Sequence, residues 1–542
     1  MKVQAYFGKP AVINNLLSCK CHPCSQARKR KSLLDEDERP GFIRGSKNGQ
    51  ILFALMVYLR KFHFVYAWFA SSYREEDLGH AISQLYGTFD LLMTNKMERS
   101  LFKEACDQAW KMLNPVHFSF SVSEPNDYAD SERFPFRAEK PIQGGNFGTL
   151  KKLEIVEEYY DHSIEARMKE YGRSVVGHGS ERKLLFAIKS VKTSDRDNLA
   201  LAEQEMLRMV SRMESSDAKN IVTLLTCYTW RNEMHFVFPY IETDLSRLLR
   251  QEAMNTTSPW FKDQALPENK LWKEMVGVAC ALSAIHTKIR NPFERVPGRV
   301  FACHFDLKPA NILVTADGKL KIGDFGHSHI QVVAPEGQPK IQYRGGDPRY
   351  AAPESQWETD QTDEWLEPHE DGGAPALKYD VWSLACIMTE VLIYLLNRQT
   401  SGGTPTGSPL VRFNESLARS PQVDFNGRFF DQNGVKECVS TTIEAFQDRF
   451  SAECAAGQYM TKIIALLFGM FQHKSHQRIS SRNVANELKD AGDEYEESRD
   501  PDDLAFAVRQ HRAPANKDFE EIGWVPAQSG GGNREPISFE KM

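Results

Sequence analysis

The 542-residue sequence predicts an α+β fold: a small β-rich lobe, a larger helical lobe after it, and a helical extension ahead of both. Three observations carry this expectation. Short β-type runs occur at 150–159, 184–192, 221–229 and 234–240, helical patterning dominates from about 243 to 490, and a further helical block fills 51–118. Strands gathered first and helices after suit a segregated α+β domain better than alternating βαβ units. Charged residues make up 26% and hydrophobic residues 41%, the balance of a soluble globular chain. A net charge of −6 argues against a nucleic-acid coat protein and leaves room for a local basic patch.

The elements follow in order. Residues 1–50 read as a basic, disordered leader: 1–34 hold Lys2, Lys9, Lys20 and the run Arg28-Lys29-Arg30-Lys31 with no acidic residue, and 35–50 have the charge and glycines of a linker. The first residues lack an apolar stretch and a cleavage site, so an intracellular protein of the cytoplasm or nucleus with reduced thiols is expected. The basic run suits nuclear import or a merely solvated patch. Cys19, Cys21 and Cys24 with His22 hint at a metal, but tetrahedral zinc needs four ligands and no second cysteine pair follows, so free thiols on a flexible segment are the plainer reading.

Residues 51–118 form the helical N-terminal region, unassigned in role and suited to a regulatory partner. Its stretch Ile51–Ala70 is long enough for a bilayer, but Arg60, Lys61 and His63 near its middle favour a buried or amphipathic helix. Val381–Leu396 is too short to span comfortably and suits the central helix of a large domain, so no membrane partner is expected. Residues 119–139 are polar and contain prolines, the pattern of a linker. The main domain occupies 140–490, with 160–182, 288–300, 355–376 and 398–435 as surface insertions. Lys489–Asp503 holds eight acidic and two basic residues, and 491–542 reads as an acidic, flexible tail.

The chemistry concentrates in His304-Phe305-Asp306-Leu307-Lys308-Pro309-Ala310-Asn311-Ile312-Leu313-Val314, followed by Asp324-Phe325-Gly326, Ala352-Pro353-Glu354 and Asp380-Val381-Trp382-Ser383, and preceded by Phe186-Ala187-Ile188-Lys189. In this order the motifs resemble those of the eukaryotic protein kinase family, over roughly 140–490. The spelling His-Phe-Asp-Leu-Lys-Pro is similar to that of fungal kinase-like proteins.

The resemblance implies a bilobal kinase fold and an ATP-dependent serine/threonine kinase acting on protein substrates with Mg2+. Phosphoryl transfer needs anionic charge neutralised and an in-line geometry held. By resemblance, Asp306 accepts the substrate hydroxyl's proton and Lys308 steadies the γ-phosphate. Asn311 and Asp324 offer the hard oxygen ligands that Mg2+ takes. Lys189 reaches the α- and β-phosphates and needs an anionic partner. Glu203 fits, being four residues before Leu207, with Glu205 as its rival. Ile142, Leu150, Ala187 and Leu313 sandwich the adenine. The C=O of Pro239 and the N–H of Ile241 bond it, and Phe238 closes the back of the pocket. His304, Phe325, Leu207 and Leu224 stack into a spine anchored by Asp380, and Arg478 pairs with Glu354.

Three departures matter. In Gln143-Gly144-Gly145-Asn146-Phe147-Gly148, Gly145 and Gly148 hold the second and third glycine positions of the phosphate loop while Gln143 takes the first, with Gly144 as its alternative. Phe305 replaces the arginine that normally receives an activation-loop phosphate, and between Asp324 and Glu354 the only hydroxyls are Ser328, Tyr343 and Tyr350, so activity independent of that phosphorylation is expected. Asp347 stands where the family often has threonine, adding a negative charge near Asp306. That charge is the main argument for the competing reading, a pseudokinase scaffold binding partners through its N-terminal region and insertions.

Overall fold

The computed structural model describes residues 9–499 apart from 30–33, 46, 70–94, 114, 121, 123–124, 146–147, 157–158, 162–163, 170, 172–174, 177–181, 194–198, 251–264, 292–297, 335–336, 338–344, 357–374, 397–408, 420–422 and 451–452. Two compact units emerge: Met1–Ala200 with Leu224–Tyr240, and Leu201–Thr223 with Ile241–Met542.

The first unit begins with helices α1 (Pro10–Leu17), α2 (His22–Arg28), α3 (Arg39–Gly45), α4 (Lys47–Tyr58), α5 (Val65–Phe69) and α6 (Lys96–Leu113). Ile13, Cys24, Ile43, Phe53, Trp68 and Phe102 meet in one apolar core. The leader expected to be disordered is therefore helical over much of its length. Its apolar residues are few but correctly spaced: Ile13 and Leu17 lie one turn apart, and Pro10 pre-sets the first turn. The stretch 51–70 is not one helix. The chain turns at Arg60, which adopts a left-handed φ of 57°, and Lys61 reaches Glu98 at 3.2 Å, so its charges sit at a bend.

The same unit holds a six-stranded sheet. Its strands are β1 (Asn126–Asp127), β2 (Phe136–Gly145), β3 (Gly148–Ile155), β6 (Leu185–Lys192), β7 (Thr226–Trp230) and β8 (Glu233–Pro239), in spatial order β1-β7-β8-β6-β3-β2. A short hairpin of β4 (Val175–Val176) and β5 (Arg182–Lys183) and helix α7 (Ile164–Lys169) lie between β3 and β6 in sequence. Alternation sends Leu153, Phe186, Ile188 and Val237 to one face, where they pack with Phe118, Tyr160, Ile164 and Met168. Phe134 and Phe136 stack at 5.4 Å, and Phe134 lies 4.9 Å from Tyr228. The segment 119–139, expected as a linker, thus supplies an edge strand and an aromatic cover for the sheet, and 160–182 contributes core rather than only surface. Prolines and acids between the aromatics hid this.

The second unit contains α8 (Leu199–Val210, entered at its first turn), α9 (Leu245–Arg250), α10 (Lys270–Thr287), α11 (Pro375–Leu396), α12 (Pro409–Ala418), α13 (Glu437–Glu444), α14 (Ala455–Met470) and α15 (Ser481–Ser498). Its strands are short: β9 (Thr243–Asp244), β10 (Arg299–Cys303), β11 (Ile312–Val314), β12 (Leu320–Ile322), β13 (His329–Val333), β14 (Phe430–Asp431) and β15 (Gly434–Val435). Asn269 caps α10 by accepting from the N–H groups of Leu271 and Trp272, and Trp272 donates to the Tyr459 hydroxyl at 2.7 Å.

Helix α11 is the central one, as expected. Among the described residues it is the one helix long and apolar enough to cross a membrane, and 89% of that window is buried in the protein. Two expectations fail here. The stretch 398–435 is not only surface: α12 buries Leu410, Phe413 and Leu417, and Phe429 and Phe430 are buried too. The tail expected from 491 begins later, because Val484, Leu488, Ala491 and Tyr495 continue one buried stripe along α15 while the acids face outward. Residues 500–542 lie outside the described residues.

Candidate active site

The candidate catalytic loop hangs from β10, whose Cys303 is paired with His329 of β13. Directly after it, Asp380 on α11, fully buried, accepts the N–H groups of His304 at 2.7 Å and Phe305 at 2.8 Å, and contacts His286 Nε2 at 3.0 Å. These bonds hold Phe305 in a left-handed conformation, φ 63°, which costs an L-residue about 1–2 kcal/mol. His304 Nε2 lies 3.0 Å from the Gly323 carbonyl, which can only accept, so Nε2 carries the proton and Nδ1 accepts the Asp306 N–H at 3.3 Å. Its ring packs 5.0 Å from that of Phe325.

Asp306 is buried and its carboxylate is held on both oxygens. Oδ2 accepts from Lys308 Nζ at 2.8 Å and from Asn311 Nδ2 at 2.9 Å, and Oδ1 accepts the Asp347 N–H at 2.9 Å. Asn311 also donates to the Asp306 carbonyl at 2.7 Å, so its amide nitrogen is committed and its oxygen is the group left to ligate. Gly323 N–H donates to the Asn311 carbonyl at 2.8 Å, which brings Asp324 alongside this loop. Asp324 is exposed, with φ 56°.

Asp347 meets Asp306 through its backbone. Its own carboxylate folds back to accept the Arg349 N–H at 3.1 Å. Gly346 permits the approach, since a Cβ there would lie 2.6 Å from the Phe305 carbonyl oxygen. Phe305 is buried with its ring 5.3 Å from that of Tyr379, filling with apolar surface the position where the resemblance led one to expect an arginine. Ser328 is buried and donates to the Phe325 carbonyl at 2.6 Å. Tyr350 donates to Glu390 Oε2 at 3.1 Å, and burial pushes its phenol well above the ordinary range. Tyr343 lies outside the described residues.

The residues expected on the nucleotide side fall in both units and are described unit by unit. In the first unit, antiparallel register puts Leu150 opposite Lys189, and Ala187 opposite Phe238, on the sheet face away from the aromatic cover. All four are half-buried, as is Ile142, which falls at a register irregularity between Pro141 and Gln143. Gly145 pairs with Gly148 to close the β2–β3 hairpin, whose tip residues 146–147 are outside the described residues. Gly148 has φ 139°, and a Cβ there would lie 2.4 Å from the Ser190 carbonyl oxygen, so only glycine fits. Tyr240 N–H donates to the Leu185 carbonyl at 3.1 Å. In a trans peptide the preceding C=O points the opposite way, so Pro239 turns its carbonyl away from β6.

In the second unit, Glu203 on α8 is buried, while Glu205 is engaged by Arg208 at 2.8 Å. Leu313 on β11 and Ile241 are half-buried. Arg478, fully buried, forms a bidentate pair with Glu354 at 2.7 and 2.9 Å. Sequence reasoning missed His286 and the Arg349–Glu390–Tyr350 group. Each rests on contacts between distant segments, such as the 94-residue separation of His286 and Asp380, and has no local signal.

Comparison with known proteins points the same way. The family model described as "Protein kinase domain" matches residues 170–488, more than half of the chain. Serine/threonine-protein kinase RUNKEL of Arabidopsis thaliana is 29% identical over 220 residues, covering 40% of this chain and 13% of the relative. Cyclin-dependent kinase 2 of Caenorhabditis elegans is 28% identical over 208 residues, 38% of this chain and 46% of the relative. Serine/threonine-protein kinase srb10 of Schizosaccharomyces pombe is 28% identical over 234 residues, 41% of this chain and 54% of the relative. The chain thus spans about half, or less, of the length of these curated relatives. With a catalytic-type loop pinned by Asp380, an ordered Asp306–Lys308–Asn311 group and this family match, the chain belongs to the eukaryotic protein kinase family, with the bilobal fold that membership implies.

Proposed function

We propose that the protein is an active kinase that transfers the γ-phosphate of ATP to serine or threonine hydroxyls of protein substrates. The observation that carries this is the state of Asp306. Of its two carboxylate oxygens, Oδ2 accepts two hydrogen bonds and Oδ1 accepts one, so Oδ1 keeps a lone pair for a substrate hydroxyl. Asp306 orients that hydroxyl and takes its proton, and Lys308, two residues on, offsets charge beside it. Lys189 and Glu203 serve as the phosphate-binding lysine and its partner. The burial of Glu203 and the engagement of Glu205 by Arg208 support this choice.

The donor set suits Mg2+: an amide oxygen at Asn311 and an exposed carboxylate at Asp324, both hard ligands. When bound, the metal neutralises phosphate charge. Ile142, Leu150, Ala187 and Leu313 make the apolar adenine site, Gly145 and Gly148 the phosphate loop, and Pro239 C=O and Ile241 N–H the polar edge. The engagement of the Asp347 carboxylate by the Arg349 N–H supports activity despite that charge. The buried Phe305 and Ser328 and the half-buried Tyr350, whose hydroxyl donates to Glu390, support independence from activation-loop phosphorylation. The kinase domain extends N-terminal of the matched span, through β2 and β3, and a regulatory partner is assigned to residues 51–118.

The test is phosphoryl transfer from γ-labelled ATP to a generic protein substrate, read by phosphoamino-acid analysis. Wild type is expected to label serine and threonine. Asp306→Ala is expected to lose about 10²–10⁴-fold in rate, the usual size of a general-base contribution. Folded wild-type protein that binds ATP and transfers nothing would replace this reading with the scaffold.

A further inference from the structure

The three cysteines left unexplained by phosphoryl transfer converge. Cys19 lies in the short turn after α1, Cys21 caps α2, and Cys24 is on its first turn; their sulfurs all lie within 4.8 Å of one another. Metal–thiolate bonds of about 2.3 Å place sulfurs roughly 3.8–4.0 Å apart around one ion, so small side-chain rotations bring the three onto a common centre. The segment is ordered, which removes the reason for reading these as free thiols on a flexible leader. Cys24 is buried in the core that includes Ile13, Ile43 and Phe69, Cys19 packs against that core, and Cys21 is exposed, so the cluster has an anchored side and an open side.

Charge and backbone support are present as well. Arg28 donates to the Cys19 carbonyl and to the Tyr66 hydroxyl, the latter at 3.3 Å, fixing a guanidinium beside the cluster. Tyr66 in turn donates to the Leu17 carbonyl at 2.9 Å, which ties the turn to the helices beneath it. Three thiolates with a divalent ion carry a net −1, which Arg28 offsets. His22 stands between the cysteines in sequence but contacts Gln26 at 3.4 Å and is not one of the converging groups.

We propose that Cys19, Cys21 and Cys24 form a three-thiolate site for a thiophilic d10 cation, Zn2+ or Cu+, that clamps the N-terminal helices together. Soft sulfur ligands select this class of ion over Mg2+ or Ca2+. A trigonal S₃ set satisfies Cu+ alone, whereas Zn2+ completes its tetrahedron with a fourth ligand at the exposed side.

The experiment uses the full-length, untagged protein, purified under reducing conditions without chelator. Zinc and copper per chain are measured by mass spectrometry, and apo-protein is titrated with Co2+ as a Zn2+ probe and, separately, with Cu+ against a chromophoric chelator. One bound ion per chain and a thiolate-to-cobalt charge-transfer band are expected if the ion is Zn2+; stoichiometric withdrawal of Cu+ without a cobalt band assigns Cu+. Cys21→Ser, at an exposed position and checked for folding by circular dichroism, is expected to weaken binding at least tenfold. Cys106→Ser, in the same core but outside the trio, is expected to leave binding unchanged. The proposal is overturned by wild-type protein that takes up neither probe, or by a Cys21→Ser variant that binds as tightly as wild type.

Discussion

Asp306 and Asp347 put two acids in neighbouring positions, yet only Asp306 is proposed as a base. The difference is made by peptide groups: the Asp347 N–H meets Asp306, and the Arg349 N–H takes up the Asp347 carboxylate. Neutralising Asp347 should therefore matter little. Asp347→Asn is expected to keep kcat/KM within about threefold of wild type, measured beside Asp306→Asn, which should fall by about 10²–10⁴. His235 gives a second prediction at this scale. It is buried, with Nδ1 2.7 Å from the Ser190 hydroxyl and Nε2 3.3 Å from the Trp230 carbonyl, and burial holds its pKa below the usual histidine value. The unfolded chain takes up a proton first as pH falls below about 6.5, so the stability present above that pH is lost on acidification. The urea midpoint should drop between pH 7.5 and 5.5 more steeply in wild type than in His235→Gln. Residues such as Lys308 and Asn311 were legible because their motif is contiguous. His235 and His286 were not, since each is a lone histidine whose partners are set by register or by a distant helix.

At the scale of elements, the buried Arg478–Glu354 pair joins the turn before α11 to the segment leading into α15. Removing one member leaves the other charge buried and uncompensated, at a cost of about 3–5 kcal/mol. Arg478→Met should show that loss in chemical denaturation, and adding Glu354→Leu should recover part of it. This pair was legible through the family resemblance of the motifs around it. The elements that were not legible share a cause. The segments 1–50, 119–139 and 398–435 place a few large apolar residues among prolines, glycines and charges, so their average composition resembles a loop. Their order comes from what they cover: Phe134 and Phe136 need the sheet beside them before they count as core. The acidic run of α15 misled for the opposite reason, many charges concealing a single stripe that ends at Tyr495.

For the whole molecule, the aromatic cover means that the foldable piece is larger than the span matched by the family. Apolar residues of 13–109 form one core, while those of 118–237 form another that includes the sheet. A protein lacking residues 1–113 should remain folded and melt cooperatively. One starting at residue 170 loses β1, β2 and β3 together with Phe118, Phe134 and Phe136, and should be recovered insoluble. Soluble, cooperatively melting protein from the shorter version would show the cover to be dispensable. Phe305 has a consequence at this scale too. A ring packed against Tyr379 offers no cationic group to pair with a phosphate on a neighbouring loop. On the activity proposed above, timing would pass to other variables: how many copies the cell makes, how long each survives, and when a substrate is brought within reach. Its dose, rather than a chemical mark beside Asp306, would then be the signal.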